Sequence, residues 1–367
     1  MKLVVFGLSI SSSWGNGHAT LWRGLVRALA ALGVDIVFFE RDQPFYAGAR
    51  DLERMPQADL VLYPDWAAVV ERARREVHEA DAAIVTSFCP DALVATQLIA
   101  DAARPIRVFY DLDTPVTLDA LRSGDDVAYI GPDGLAPFDL VLSFTGGRAL
   151  GELLARLGAR RVAPLYGHVD PDVHRPAEPQ AQFRADLSYI GTFAPDRQPL
   201  LQRFFIEAAK QAPGRRFVIA GAQYPADFPW VPNIFFVHHL EAAQHPAFFA
   251  STRLTLNITR RAMAEMGWCP SGRLFEAAAC GAAILSDTWP GIEEFFAPGT
   301  EILIARSTVD AMAALDQEDG ELRAIGRAAQ ERVLAEHTSV HRARELLALL
   351  EGARRPAEMA PVADLEV

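Results

Sequence analysis

The sequence predicts an α/β protein built from two doubly wound parallel-sheet domains, and three observations lead to this fold class. Short apolar runs alternate with amphipathic helical patterns through the first half of the chain. A proline-containing stretch without periodicity follows at residues 166–182, and the alternation then restarts. The length of 367 residues also suits two domains better than one core. Repeated strand–helix units favour parallel strands joined by right-handed crossovers.

The first predicted domain covers residues 1–165. It opens with an apolar run at 3–10, which is typical of a buried parallel strand, and a helical pattern at 18–32 carries leucines on one face. Further strands are predicted at residues 35–39, 60–63, 82–86, 107–110 and 140–143. The clearest helices between them are predicted at 67–80, 91–102 and 148–157.

The second predicted domain covers residues 183–335 and follows a linker at 166–182. Its strands are predicted at 187–190, 216–220, 234–237, 254–258, 283–286 and 301–304. Its helices are predicted at 199–211, 242–251, 271–280 and 292–296. Residues 320–350 indicate a long helix with a break near 337–339. The last residues, 354–367, are rich in proline, alanine and acidic side chains and are predicted to be a disordered tail.

The charge balance and the cysteines limit the partners and the location. A net charge of −12 disfavours a general nucleic-acid or anionic-membrane surface, because both need clustered positive charge. Cys89, Cys269 and Cys280 have no metal-binding spacing, which is typical of free thiols in a reducing cytoplasm. No apolar segment is long enough to span a bilayer. No cleavage-site pattern follows the first apolar run, so we predict a strand there and not a signal peptide.

The most informative segment is PSGRLFEAAACGAAILSD, at residues 270–287. Ser271 is a good helix N-cap and Gly272 opens the helix, so unpaired backbone N–H groups and the positive end of the helix dipole attract phosphate here. Arg273 could hold a diphosphate while Glu276, on the same helix face, accepts hydrogen bonds from a ribose diol. The alternative is an ordinary surface ion pair between these two side chains.

The run RLFEAAACGAAILSDTWPGIEEFFAPGTEILI resembles the donor-site signature of glycosyltransferases with the GT-B fold, in which two Rossmann-like domains face each other across a cleft. It is most similar to the spore-maturation-protein (CgeB-like) glycosyltransferases, and the resemblance extends over most of the chain. It implies transfer of a sugar from a nucleotide-diphosphate donor to an unknown acceptor (a glycan, a protein or a small molecule), without a metal or other cofactor. It also implies that a C-terminal helix, 336–353, crosses back to the first domain.

Two other strand ends in the second domain are predicted to contact the donor. The segment YIGTFAPDR resembles the family's diphosphate loop, with Gly191 and Thr192 bringing backbone close to the phosphates and Arg197 reaching them. A plain turn with a solvent-facing arginine is the alternative. Asn257 and Arg260, in NITRR, lie at the end of a later strand and are predicted to face the donor as well.

The loop after the first strand, SISSSWGNGHAT, supplies the acceptor-side candidates Gly15, Asn16 and Gly17. His18 follows at a helix N-terminus and could be a general base or only a helix-end histidine. A dinucleotide-binding GxGxxG motif would need glycine at position 20, where Thr20 stands, so NAD binding is disfavoured.

A second first-domain motif, DLDTP, follows the strand predicted at 107–110. Asp111 and Asp113 would lie at the carboxyl edge of the sheet, where a cleft carboxylate belongs. The alternative is turn or capping chemistry before Pro115. Because DLDTP resembles the family's first-domain pattern, Asp113 is favoured over its neighbours as a catalytic residue, and Asp111 is assigned to the acceptor side.

The stereochemistry and two alternative functions stay open at this stage. Relatives often carry a first glutamate eight residues before Glu276, but Trp268 stands there, which weakens any transfer of a retaining mechanism. An inverting route would need His18 or Asp113 as base. One alternative function is a nucleotide-sugar epimerase or hydrolase on the same fold. The other is a non-catalytic nucleotide- or sugar-binding protein.

Overall fold

The computed structural model describes residues 1–238 and 240–354, and it consists of two parallel β-sheets covered by helices. The first sheet has seven strands and the second has six, and the paired strands run parallel in both. The predicted fold class is therefore confirmed. Of the predicted disordered tail, 354–367, only Arg354 lies within the described residues. Across the described ranges, no helix has the length and apolar character needed to cross a membrane.

The first domain alternates strands and helices. Its strands are β1 (Lys2–Gly7), β2 (Asp35–Arg41), β3 (Asp59–Tyr63), β4 (Ala82–Thr86), β5 (Ile106–Asp111), β6 (Leu140–Ser143) and β7 (Val162–Pro164). Its helices are α1 (Gly17–Ala31), α2 (Pro44–Ala47), α3 (Trp66–Glu79), α4 (Ala92–Ala100), α5 (Thr114–Ser123) and α6 (Arg148–Leu157). The strands are ordered β3-β2-β1-β4-β5-β6-β7 across the sheet.

The second domain repeats this arrangement. Its strands are β8 (Ala185–Ile190), β9 (Phe217–Gly221), β10 (Ile234–His238), β11 (Thr252–Asn257), β12 (Ile284–Ser286) and β13 (Leu303–Ile304), ordered β10-β9-β8-β11-β12-β13. Its α-helices are α7 (Gln198–Leu201), α8 (Glu207–Gln211), α9 (His245–Ala250), α10 (Arg261–Met266), α11 (Gly272–Ala279), α12 (Thr308–Leu315), α13 (Asp319–Glu336) and α14 (Ser339–Ala353). A π-helical stretch, Gln202–Ile206, joins α7 to α8.

Each sheet is covered on both faces, because successive residues of a strand point to opposite sides. Leu3 and Val5 of β1 pack on one face with Trp22 of α1. Val4 and Phe6 pack in a separate cluster on the opposite face. All these side chains are buried. A parallel strand buried on both sides reads as a continuous apolar run, which is why the sequence predicts β1 so readily.

The short elements are where the structure differs from the sequence predictions. Strand β7 is not predicted, because three half-buried residues ending in a proline give no usable pattern. Helices α5, α10 and α12 are not predicted either. Helix α5 carries Pro115 in its first turn, a position that proline tolerates, whereas the sequence interpretation takes this proline for a turn. The break near 337–339 is confirmed, since α13 ends at Glu336 and α14 begins at Ser339.

The chain passes between the two domains twice, once in the linker and once before α14, and the two crossings lie side by side. Helix α14 packs against α1, and the approach is close because a Cβ on Gly24 would lie 2.6 Å from the Ser339 hydroxyl oxygen. Beside this crossing runs the linker. The Val169 amide donates to the His337 carbonyl (3.0 Å), and the Ser339 amide donates to the Val169 carbonyl (2.8 Å). These backbone bonds tie the outgoing and returning segments together.

Gly326→Ala should destabilise the protein by about 1–3 kcal/mol, because α13 packs directly on backbone. An added Cβ would lie 2.3 Å from the carbonyl oxygen of Gly281, which cannot move aside like a side chain. Gly320→Ala is the matched control, since that glycine on the same helix has open space around it. It should be neutral or slightly stabilising. Urea denaturation measures both free energies of unfolding, and equal values would contradict the close packing.

Candidate functional site

Both sheets reverse their strand order at one internal point, and the functional side chains collect at those two points. The reversal lies between β1 and β4 in the first sheet and between β8 and β11 in the second. Loops that follow the two central strands separate at such a point and leave a crevice beyond the carboxyl ends. The predicted site residues lie at or beyond the carboxyl ends of strands, so the parallel topology gathers them along one edge of each sheet.

The crevice of the second domain contains a small cavity of about 50 Å³. Its walls come from the ends of β8 and β11, from the loop before α7 and from the start of α11. The lining residues are Tyr189, Ile190, Arg197, Leu256, Asn257, Ile258, Ser271 and Arg273. Four of the predicted donor-binding residues (Arg197, Asn257, Ser271 and Arg273) therefore share one cavity.

The beginning of α11 is built as the sequence indicates. Ser271 is the N-cap, and its hydroxyl accepts a hydrogen bond from the Arg273 amide (3.3 Å). Gly272 follows with open space around it. The Arg273 guanidinium donates to the carbonyl of Ile190, and its Nε lies 3.9 Å from a Glu276 carboxylate oxygen. Arg273 thus spans from the helix end to the end of β8, across the cavity.

The loop after β8 brings a second guanidinium to the same cavity. Arg197 donates through one Nη to the carbonyl of Thr192 (2.9 Å), which holds the loop closed. Its Nε is buried and has no hydrogen-bond partner within the described residues. Gly191 is buried where a Cβ would lie 2.9 Å from the Tyr189 hydroxyl. The glycine therefore permits the turn that places Arg197 over the cavity.

Asn257, the last residue of β11, and Arg260, three residues later, lie in different environments. Asn257 is buried at the cavity wall, and its amide donates to the Ser286 hydroxyl (3.0 Å). Arg260 precedes α10 with its side chain about half exposed, and it faces Asp196 at 3.4 Å. Arg260 is not among the cavity-lining residues in the described part of the chain. Its predicted donor contact would require this side chain to turn.

In the first domain, His18 and Asp113 come together across the sheet edge. His18 Nε2 lies 2.6 Å from Asp113 Oδ2, although the two residues are 95 positions apart in sequence. Asn16 fixes His18 from the other side, because its side-chain oxygen accepts the His18 amide as the N-cap of α1 (2.8 Å). Gly15, with φ +62°, makes the turn before this cap, and Gly17 opens the helix.

Asp111 lies beneath this pair and not at the surface. Its side chain is fully buried, one carboxylate oxygen accepts the Asp113 amide (3.0 Å), and the other has no partner in the described ranges. Burial, together with the nearby Asp113 charge, raises the pKa of Asp111 to about 6. The structure therefore does not place Asp111 where an acceptor could touch it. The burial of β5 up to its last residue is the physical reason.

A contact between the two domains lies just before the start of α11. The Gly146 amide, after β6, donates to the carbonyl of Trp268 (2.9 Å), and the Thr145 hydroxyl contacts the sulfur of Cys269 (3.0 Å). Ser271 comes two residues later at the cavity. Trp268, at the position of the family's first glutamate, instead donates its indole N–H to Glu294 (2.6 Å). Trp268 is not among the residues that line the cavity in the described part of the chain.

Two histidines near Glu276 are not predicted as site residues from the sequence. His174 lies in the linker and His245 begins α9, and their ligand atoms come within 4.8 Å of each other and of a Glu276 carboxylate oxygen. Burial is the first cause of the low pKa of His245, about 4. The pKa of Glu276 is lowered, because the nearby His174, Arg273 and His245 together outweigh its desolvation. No motif links residues so far apart, so only the fold brings them together.

Comparison with known proteins assigns this architecture. Residues 197–348 match a family model described as glycosyl transferase-like. No curated protein sequence matches the chain significantly. Among solved structures, sucrose-phosphate synthase from Thermosynechococcus elongatus aligns with a TM-score of 0.71 at 14% identity, over 96% of this chain and 99% of that one. The chain has the GT-B glycosyltransferase fold.

Two further GT-B structures align over the same extent. Anabaena HepE, solved in complex with UDP and glucose, has a TM-score of 0.65 at 13% identity, over 96% of this chain and 100% of its own. An α-glucosyltransferase, solved with UDP-glucose and DNA, has a TM-score of 0.65 at 11% identity, over 96% and 99%. The match to the glycosyl transferase-like family model agrees with the predicted enzyme class, a glycosyltransferase, and these structures confirm the GT-B fold. The finer resemblance to the CgeB-like group stays a prediction.

Asp111→Asn should change how the stability of this GT-B chain depends on pH. The pKa of about 6 in the folded state lies above the ordinary value of 3.8, so the native protein holds the Asp111 proton more tightly. The wild type therefore loses stability as the pH rises from about 4 to 6, and the asparagine variant lacks that loss. Between pH 5 and pH 7.5 the variant should gain about 1.4 kcal/mol relative to the wild type. Denaturant titrations at both pH values measure it, and a pH-independent difference would contradict a raised pKa.

Proposed function

We propose that this chain transfers a sugar from a nucleoside-diphosphate sugar to an acceptor hydroxyl across the cleft between its domains. One observation carries the proposal. Arg197, Arg273 and the N-terminus of α11 share one cavity, and the Gly146–Trp268 bond holds the domain with this cavity against the domain that carries the His18–Asp113 pair. A helix end with two guanidinium groups suits a diphosphate, and a carboxylate–imidazole pair opposite suits a hydroxyl that must lose a proton.

The leaving diphosphate would be stabilised without a metal. Arginine stays protonated at any physiological pH and forms paired hydrogen bonds with phosphate oxygens. The partly positive N-terminus of α11 adds backbone N–H groups at Ser271 and Gly272. A cavity of about 50 Å³ is small for a diphosphate, so Arg273 must release the Ile190 carbonyl when the donor enters. The phosphate oxygens would then replace that carbonyl as acceptors.

Glu276 would hold the ribose of the donor. It lies on the same helix face as Arg273, one turn further along, and 15% of its side chain is exposed. A carboxylate accepts hydrogen bonds from two adjacent hydroxyl groups and so suits a ribose diol. Its lowered pKa keeps it ionised and acceptor-only at neutral pH. The diphosphate and the ribose would therefore lie along one face of α11.

Asp113 is the member of the first-domain pair that would meet the acceptor. Its side chain is 24% exposed against 11% for His18, and His18 Nδ1 is buried without a partner in the described chain. Asp113 would accept the proton of the acceptor hydroxyl while His18 orients the carboxylate through the 2.6 Å bond. Such a base opposite the leaving group favours an in-line, inverting displacement.

Different observations limit the choice of donor and the choice of acceptor. The HepE and α-glucosyltransferase structures contain UDP with glucose or UDP-glucose, so UDP-sugars are the first donors to test. The net charge of −12 supports an acceptor other than nucleic acid, in the form of a glycan, a protein or a small molecule. The three cysteines are free and buried, which supports the proposed cytoplasmic location. The CgeB-like group is the proposed subfamily.

Arg273→Ala should weaken UDP binding by about 1.5–3 kcal/mol, the usual value of a charge-assisted hydrogen bond. This corresponds to roughly 10- to 150-fold in Kd by calorimetry. Arg74→Ala, on the exposed surface of α3, is the control and should leave the affinity unchanged. If UDP, GDP and dTDP all bind Arg273→Ala as well as wild type, the donor site is wrongly assigned.

Asp113→Asn should lower turnover by about 10²- to 10⁴-fold, because the amide cannot accept the proton, while UDP affinity changes little. Release of UDP from UDP-glucose, measured with a panel of hydroxyl acceptors, gives the rate. Asp119→Asn, on the exposed side of α5, the helix that begins directly after Asp113, is the matched control. Full activity of Asp113→Asn would remove this carboxylate from the mechanism. UDP release that needs no acceptor would favour a hydrolase.

A further inference from the structure

Three side chains from separate parts of the chain converge beside the donor cavity. His174 comes from the linker, His245 from the first residue of α9, and Glu276 from the middle of α11. Their ligand atoms all lie within 4.8 Å of one another. The α11 carboxylate has its proposed role toward ribose, but neither histidine has a part in sugar transfer as described above. Their presence at this point needs a separate explanation.

Burial makes the two histidines unusual. His174 is 2% exposed, and its Nε2 has no hydrogen-bond partner among the described residues. His245 Nδ1 is likewise buried and unpartnered there, whereas the backbone of Leu240 bonds to this ring. A buried polar atom without a partner costs about 1–3 kcal/mol. Two such nitrogens in one cluster with a carboxylate are what an empty cation site contains.

We propose that His174, His245 and Glu276 bind a divalent first-row transition-metal ion of the zinc class. Imidazole nitrogens suit Zn²⁺ and its neighbours, while Mg²⁺ and Ca²⁺ prefer oxygen ligands. Tetrahedral zinc, with ligands at about 2.0–2.1 Å, separates ligand atoms by about 3.3–3.5 Å. The ligand atoms lie within 4.8 Å of one another, so the side chains need to close by at most about 1.5 Å. Three protein ligands leave a fourth position open.

The surroundings both support and limit the site. The bond between His245 and the Leu240 backbone orients the ring, as second partners of metal-binding histidines do. The positive charge of Arg273 disfavours a cation at this site, because its Nε lies 3.9 Å from the Glu276 carboxylate. Its guanidinium is directed to the Ile190 carbonyl, so the carboxylate can still turn toward the histidines. The ion would tie the linker to α9 and α11 of the second domain.

One consequence rests on the proposed function. Glu276 is both a ligand of this site and the proposed ribose partner, so the ion and the nucleotide should compete for one carboxylate. A bound metal ion would then block the donor site, and UDP binding would displace the ion. The metal site itself is independent of sugar transfer, because its three ligands are defined by their own geometry.

The test is a Co²⁺ titration of the untagged full-length chain after chelator treatment, followed by visible absorption. The wild type should bind one equivalent. His245→Gln and Glu276→Gln should bind at least about tenfold more weakly, since even second partners of metal ligands are worth that much. His78→Gln, an exposed histidine of α3, is the matched control and should bind as the wild type does. Circular dichroism melting establishes that each variant is folded.

The outcomes separate the two proposals. The metal site is overturned if the wild type takes up no Co²⁺ or Zn²⁺, or if folded His245→Gln and Glu276→Gln bind as tightly as the wild type. Repeating the titration with UDP tests the competition. Tight Co²⁺ binding that UDP does not weaken would retain the metal site and remove Glu276 from ribose binding. UDP binding without any metal binding would retain the donor site alone.

Discussion

A parallel sheet has a single edge at which all its strands finish, and the site described here depends on two such edges being held opposite each other. The Gly146–Trp268 backbone bond and the Thr145–Cys269 contact fix the distance between them. Without this arrangement, the guanidinium groups of the second domain and the carboxylate–imidazole pair of the first would be unrelated surface features. Topology supplies the edges, and a few interdomain contacts turn them into one cleft.

The electrostatic design differs between the two sides of the cleft. The second domain gathers fixed positive charge, because Arg197 and Arg273 line one cavity at the beginning of a helix. The first domain buries negative charge, because Asp111 is enclosed in the core directly below Asp113. Burial raises the pKa of Asp111 because the core destabilises the ionised carboxylate. Keeping this carboxylate in the core therefore costs folding free energy. This cost fits a structural role, because the Asp111 carboxylate accepts a hydrogen bond from the Asp113 amide and so positions the Asp113 backbone.

The sequence predicts the parts of this structure that have a local cause. Strands β4 and β6 and helix α6 are predicted with the observed bounds, since apolar periodicity alone defines them. Ser271, Gly272 and Arg273 are predictable because a helix N-terminus has a local signature. His18 and Asp113 are predicted as separate candidates, and their pairing appears only in the structure, where the carboxyl ends of parallel strands share one edge of the sheet. The convergence of His174 and His245 on Glu276 has no local cause at all, so it emerges only from the fold.

The paired backbone bonds around Val169 have a mechanical consequence for the whole molecule. The outgoing linker and the returning C-terminal segment lie side by side at Val169, His337 and Ser339, so both covalent connections between the domains pass through one small region. Rotation about that region is the motion that distorts neither connection. The domains should therefore open and close by a hinge rotation about this region. The Gly146–Trp268 hydrogen bond must break before they can open.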